Sequence, residues 1–245
     1  MEVPFVFGLY STGFSNSERG NVMGQMIELK AKDGKTISAY RADPAGKPRG
    51  GLVVVQEIWG VNSHIRSVAD GYAADGYLAI APAIFDRVEP GVTMDEYNQE
   101  TMQRGFGYMG KVDADKALLD IAAAAEVASK AGKVGVVGYC FGGRMSWLAA
   151  SRLDGIAAAV PYYGGGVPDL ASEQPKCPVI LHFGEKDQHI PVASVEQFKK
   201  AHPSLPVYLY PADHGFNCDQ RGSYDASASK LARERTLELF RKHVG

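Results

Sequence analysis

From Gly51 onward the chain alternates short apolar runs with longer stretches of helical periodicity. The apolar runs occupy residues 52–55, 77–81, 134–139, 157–163, 179–183 and 207–210. Uninterrupted apolar runs of this length read as strands covered on both faces. The intervening segments 62–75, 94–106, 112–131, 141–152, 192–201 and 224–243 read as helices, with Asn62 placed to cap the first. Such βα alternation predicts an α/β fold with a mostly parallel central sheet and helices on both faces. Reactive side chains are then expected on the loops that leave the carboxyl ends of the strands. Upstream, MIELKA and TISAYRA flank Asp33-Gly34, a hairpin signal. Residues 1–25 follow neither period and read as an N-terminal arm ahead of a single domain over 26–245.

Composition narrows the function classes. The 26 basic and 28 acidic side chains nearly cancel, so no bulk charge favours nucleic acid or an anionic membrane. The chain has no apolar run of spanning length, and its N-terminus lacks a basic stretch before the short apolar patch, so neither a membrane protein nor a secreted one is expected. Cys140, Cys177 and Cys218 form no paired metal-ligand spacing, and an odd count fits a reducing, cytoplasmic setting better than a disulfide framework. A small molecule is the expected partner, and a monomer or small homo-oligomer the expected state.

The sharpest local signal is Gly138-Tyr139-Cys140-Phe141-Gly142-Gly143, between the strand-like KVGVV and the helix-like RMSWLAASRL. Strand, tight turn and helix form the G-x-S-x-G nucleophile elbow, here with cysteine in the serine position. A helix opening at Phe141 points its free N–H groups at the thiol and favours the thiolate. Two later strand ends supply the remaining parts: Asp187 in GEKDQHIP and His214 in PADHGF. Nucleophile, acid and histidine thus follow in the order of an α/β-hydrolase, with His214 as proton carrier and Asp187 as its orienting acid. Asp213 adjoins His214 and reads as a turn residue, because neighbouring side chains diverge. The other histidines read as structural or loop residues.

With these residues in place, the chain from Met26 onward resembles the dienelactone hydrolases, cysteine-dependent members of the α/β-hydrolase superfamily. The matching stretches are VVVQEIWGVNSHIRSVADGYAADGYLAIAP, GYCFGG, PYYGGG, HFGEKDQHIP, DHGF and SASKLARERTLELF. The resemblance implies hydrolysis of a small ester or enol-lactone through a cysteine thioester, with Cys140, Asp187 and His214 as triad and no cofactor. It also implies that Glu57 takes part in converting thiol to thiolate. The oxyanion hole is expected from the backbone N–H groups of Phe141 and Ile58.

Substrate recognition departs from the pattern. The family holds a substrate carboxylate between two arginines, of which Arg87 matches one. The second position, four residues after His214, is Cys218, and Arg221 is the candidate replacement if its loop bends back. Trp59, Tyr163 and Phe216 fall near the expected site, as pocket walls or as core. The substitution at Cys218 also raises an alternative, a thiol redox or sensor protein that pairs Cys140 with Cys218.

Overall fold

The computed structural model describes residues 24–245. Strands β1 (Gln25–Lys30) and β2 (Thr36–Ala42) form the antiparallel hairpin expected around Asp33-Gly34, and β2 continues antiparallel onto β4 (Leu78–Pro82). Beyond that edge β3 (Gly51–Val55), β5 (Val134–Tyr139), β6 (Ile156–Tyr162), β7 (Leu181–Gly184) and β8 (Val207–Tyr210) run parallel to β4. The eight strands lie in the order β1-β2-β4-β3-β5-β6-β7-β8. This is the mostly parallel sheet that the βα alternation predicts.

The strand period explains the two cores. Along β3, Leu52 and Val54 face one apolar cluster while Val53 and Val55 face the other. In β5, Val137 and Tyr139 take the first face, and Val134 and Val136 the second. Helices α1 (Ser63–Ala74) and α6 (Ala226–His243) cover the first face through Ile65, Ala69, Tyr72, Ala232 and Phe240. On the second face, α3 (Ala114–Ala128) packs Ala117, Leu118, Ile121 and Ala124. Helix α4 (Phe141–Arg152) serves both clusters, with Trp147 and Ala150 on one and Met145 and Leu148 on the other. The remaining helices are α2 (Gln99–Met109) and α5 (Val192–Ala201).

Boundaries moved where a cap was not read. The helix expected over 94–106 starts at Gln99, because Asn98 accepts from the Thr101 N–H while Thr101 Oγ1 accepts from the Asn98 N–H in a capping box. Asp113 and Asp225 likewise delay α3 and α6 by accepting from first-turn N–H groups. The strand expected from Val179 begins at Leu181, and Val179 makes only an isolated bridge to Ala159. Gln25, read as the last residue of the arm, opens β1; residues 1–23 of that arm lie outside the described residues. Among the described residues, no helix is long and apolar enough to cross a membrane.

Phe240 closes the first core edge-on against Tyr72 and Tyr77, with ring centroids 6.1 and 6.3 Å away. Phe240→Ala is expected to lower unfolding free energy by about 3–5 kcal/mol, read from urea titration. A loss below about 1 kcal/mol would contradict this packing.

Candidate active site

Cys140 joins β5 to α4 with φ 54° and ψ −114°, a positive-φ backbone that an L-residue adopts only under constraint. Its N–H donates to the Tyr162 carbonyl of β6 at 3.1 Å. The flanking glycines make room for the turn: a Cβ on Gly138 would lie 1.9 Å from the Gly142 carbonyl oxygen, and one on Gly142 would lie 2.2 Å from that of Val55. The thiol therefore stands at the carboxyl edge of the sheet, in front of the first turn of α4. Among the described residues, the N–H groups of Phe141 and Ile58 donate to no backbone or side-chain acceptor. The loop that carries Ile58 is pinned by Gln56, whose Oε1 accepts from the Ile84 N–H at 3.1 Å.

Asp187 and His214 meet across the ends of β7 and β8. His214 Nδ1 lies 2.7 Å from Asp187 Oδ2, while Asp187 Oδ1 accepts from the N–H groups of His189 and Ile190 at 2.8 and 3.2 Å. Both carboxylate oxygens are engaged, which fixes the acid and makes Nδ1 the protonated ring nitrogen. Asp213 instead accepts from the His214 backbone N–H. Burial works against a charged His214 ring, but the charge on Cys140 and the bond from Asp187 outweigh it and push the pKa up to about 10. That environment favours a protonated His214 ring at neutral pH.

Behind this group lies a second set of buried polar side chains. Glu57 is 1% exposed, and among the described residues neither of its carboxylate oxygens has a hydrogen-bond partner. Its nearest cation is Arg221, with Nη1 at 3.7 Å. The Arg221 guanidinium lies over the Trp59 ring, 4.8 Å from its centroid. Burial opposes charge on Arg221, yet Glu57 together with Tyr163, Cys140 and Cys218 outweighs it and holds its pKa above the ordinary arginine value. Burial first, and then Glu57, push the Cys218 thiol up to about 12.

A cavity of about 440 Å³ opens in front of Cys140 and His214. Ile58, Trp59, Phe141 and Arg221 line it as expected residues. Three others do not. Arg87 is turned away: its Nε and Nη2 donate to Asp120 of α3 at 2.6 and 2.8 Å, and Nη1 donates to Asp33 at 2.8 Å. With its donors spent on two carboxylates, it serves as a structural tie between α3 and the β-hairpin. Tyr163 and Phe216 are fully buried beneath the site, with ring centroids 5.2 Å apart, and are core rather than wall. His182 also belongs to the core, where burial drives its pKa down to about 3 and Tyr210 and Thr236 hold its ring nitrogens.

The sequence reading missed one wall entirely. Met102, Phe106 and Met109 of α2 face the cavity, joined by Arg144 and His189. The spacing of Met102, Phe106 and Met109 by four and three residues was the available signal, a helical apolar stripe whose Phe106 remains exposed. Trp59 Nε1 donates to Thr101 Oγ1 at 3.2 Å and fixes that wall against the loop after β3.

The sequence model of the dienelactone hydrolase family matches residues 37–244. The chain belongs to that family. The carboxymethylenebutenolidase of Pseudomonas putida is 32% identical over 224 residues, covering 87% of this chain and 94% of the relative. A Klebsiella pneumoniae crystal structure, itself assigned to the dienelactone hydrolases by inference, superimposes with TM-score 0.78 at 31% identity, over 90% of this chain and 99% of its own. A dienelactone hydrolase-like promiscuous phosphotriesterase from metagenomic libraries shares the fold, with TM-score 0.72 at 21% identity over 91% of this chain and all of its own. This dienelactone hydrolase family member is thus a hydrolase of the carboxymethylenebutenolidase type with an α/β-hydrolase fold.

Because Arg87 binds Asp120 and Asp33 rather than the cavity, Arg87→Lys is expected to cost roughly 1–3 kcal/mol of stability through loss of the bidentate pair. The KM ratio between carboxylate-bearing and uncharged lactones should stay unchanged. A selective rise in KM for the charged lactone would restore Arg87 to substrate binding.

Proposed function

We propose that the protein hydrolyses a small ester or enol-lactone through a thioester on Cys140, with Asp187, His214 and Cys140 as the triad. The observation that carries this reading is the Asp187–His214 pair at 2.7 Å behind a cysteine held at positive φ on the cavity floor. The Cys140 thiolate attacks the carbonyl carbon, and the carbonyl π pair moves onto oxygen, between the N–H groups of Phe141 and Ile58. Collapse breaks the C–O bond, and the His214 imidazolium protonates the departing alkoxide or enolate. Water then attacks the thioester as His214 takes its proton. Expulsion of the thiolate releases the acid and restores the ion pair.

Glu57 we assign to conversion of thiol to thiolate when substrate arrives. Its support is a buried carboxylate with no hydrogen bond among the described residues and one cation nearby at 3.7 Å. An anionic substrate that engages Arg221 competes with Glu57 for that cation and leaves the carboxylate free to act as a base. In a cavity with mostly apolar walls, Arg221 and Arg144 are the cations able to meet such an anion. The three free thiols fit work in a reducing cytoplasm. A reversible Cys140–Cys218 pair has less support, since Cys218 is fully buried and its thiol is pushed up to about 12.

Purified protein should hydrolyse enol-lactones or short aryl esters, and Cys140→Ala and His214→Ala should each lower kcat/KM by roughly 10³-fold or more. A folded Cys140→Ala with undiminished rate would remove the nucleophile assignment. The pH profile gives an independent reading. His214 carries its proton below a pKa of about 10, so activity should decline as pH rises through that value. Asp187→Asn removes one of the groups that raise the pKa, and the alkaline limb should move to lower pH. A limb that stays in place would contradict the role of Asp187.

A further inference from the structure

One cluster of ligand-type side chains is not used by the hydrolytic chemistry as a set. Glu57, His64 and Cys218 each offer one ligand atom, and these atoms lie within 4.8 Å of one another. All three residues are buried, at 1%, 3% and 0% exposure. Among the described residues, His64 Nε2 and both Glu57 oxygens lack hydrogen-bond partners, an unusual concentration of unsatisfied buried groups. His64 Nδ1 lies 3.3 Å from Oδ1 of Asp219, whose side chain is mostly exposed. A carboxylate only accepts, so Nδ1 carries the ring proton and Nε2 presents a bare lone pair to the cluster. A carboxylate that orients a histidine whose other nitrogen faces inward is the arrangement found around metal-bound imidazoles.

We propose that Glu57, His64 and Cys218 form a binding site for Zn²⁺, with Asp219 as the positioning partner of His64. Imidazole nitrogen, thiolate sulfur and carboxylate oxygen are all zinc ligands, and the sulfur selects against Ca²⁺ and Mg²⁺. Tetrahedral zinc holds oxygen, nitrogen and sulfur ligands roughly 3.3–3.5 Å apart, so donors that lie within 4.8 Å of one another need to close by up to about 1.5 Å. Water supplies the fourth position. On binding, the Cys218 thiol loses its proton to solvent, and the cation's charge balances the thiolate and the Glu57 carboxylate. The site does not depend on the hydrolytic reading. Where both hold, the ion takes the carboxylate assigned to thiol activation, so loading the site slows hydrolysis.

The test uses full-length Cys140→Ser protein, which has no thiol at the cavity, titrated with Co²⁺ as a spectroscopic substitute for Zn²⁺. One equivalent should bind with a thiolate-to-cobalt charge-transfer band and tetrahedral d–d bands, and Zn²⁺ should displace it. Cys218→Ser in that background should lose the charge-transfer band. Asp219→Asn changes only an exposed carboxylate, so folding is not at stake, and it should weaken Co²⁺ binding by about 10-fold. Absence of the band in Cys140→Ser, its survival in Cys218→Ser, or an unchanged affinity in Asp219→Asn would each overturn the proposal.

Discussion

The positive-φ turn at Cys140 is the constraint around which the rest of the site is arranged. A backbone at φ 54° and ψ −114° costs on the order of 1–3 kcal/mol and persists only where the surroundings over-determine it. Here they do so from three sides. The Tyr162 carbonyl of β6 holds the Cys140 N–H, the Gly138 and Gly142 backbones nest without side chains, and Val55 of β3 closes against Gly142. The central parallel strands β3, β5 and β6 are therefore required in this order, since each contributes a backbone atom to the turn. The same turn sets the thiol in front of the N-terminus of α4, where dipole and free N–H groups act together.

Electrostatics divides the site into a satisfied half and an unsatisfied half. Asp187 has both oxygens engaged and transmits its charge to one ring nitrogen of His214. Glu57 is as deeply buried, yet its nearest cation stands at 3.7 Å, beyond hydrogen-bond reach, and is itself stacked on Trp59. The satisfied half gives a fixed geometry, and the unsatisfied carboxylate is the feature on which both the proposed thiol activation and the proposed metal site rest.

Much of this was legible in the sequence because it is local. The limits of β5, α4, α5 and β8 follow directly from apolar runs and helical periodicity. The elbow glycines announce the turn at Cys140, and Asp187 and His214 stand on the residues just past their strands. What sequence did not show is which distant partner a side chain meets. Arg87 lies on the loop after β4, as expected, but Asp120 from α3 and Asp33 from the hairpin capture it. Tyr163 and Phe216 are beside the site along the chain and underneath it in space. The trio Glu57, His64 and Cys218 has no short spacing to read, and only the fold unites the loop after β3 and the first turn of α1 with the loop after β8.

The most direct test of the central claim is to trap the acyl intermediate. An aryl ester mixed with the enzyme and quenched in acid within a turnover should give an added acyl mass on the peptide that carries Cys140, released by hydroxylamine as a thioester is. An acyl group on any other residue, or turnover with no adduct at Cys140 at any quench time, would contradict a covalent mechanism at this cysteine.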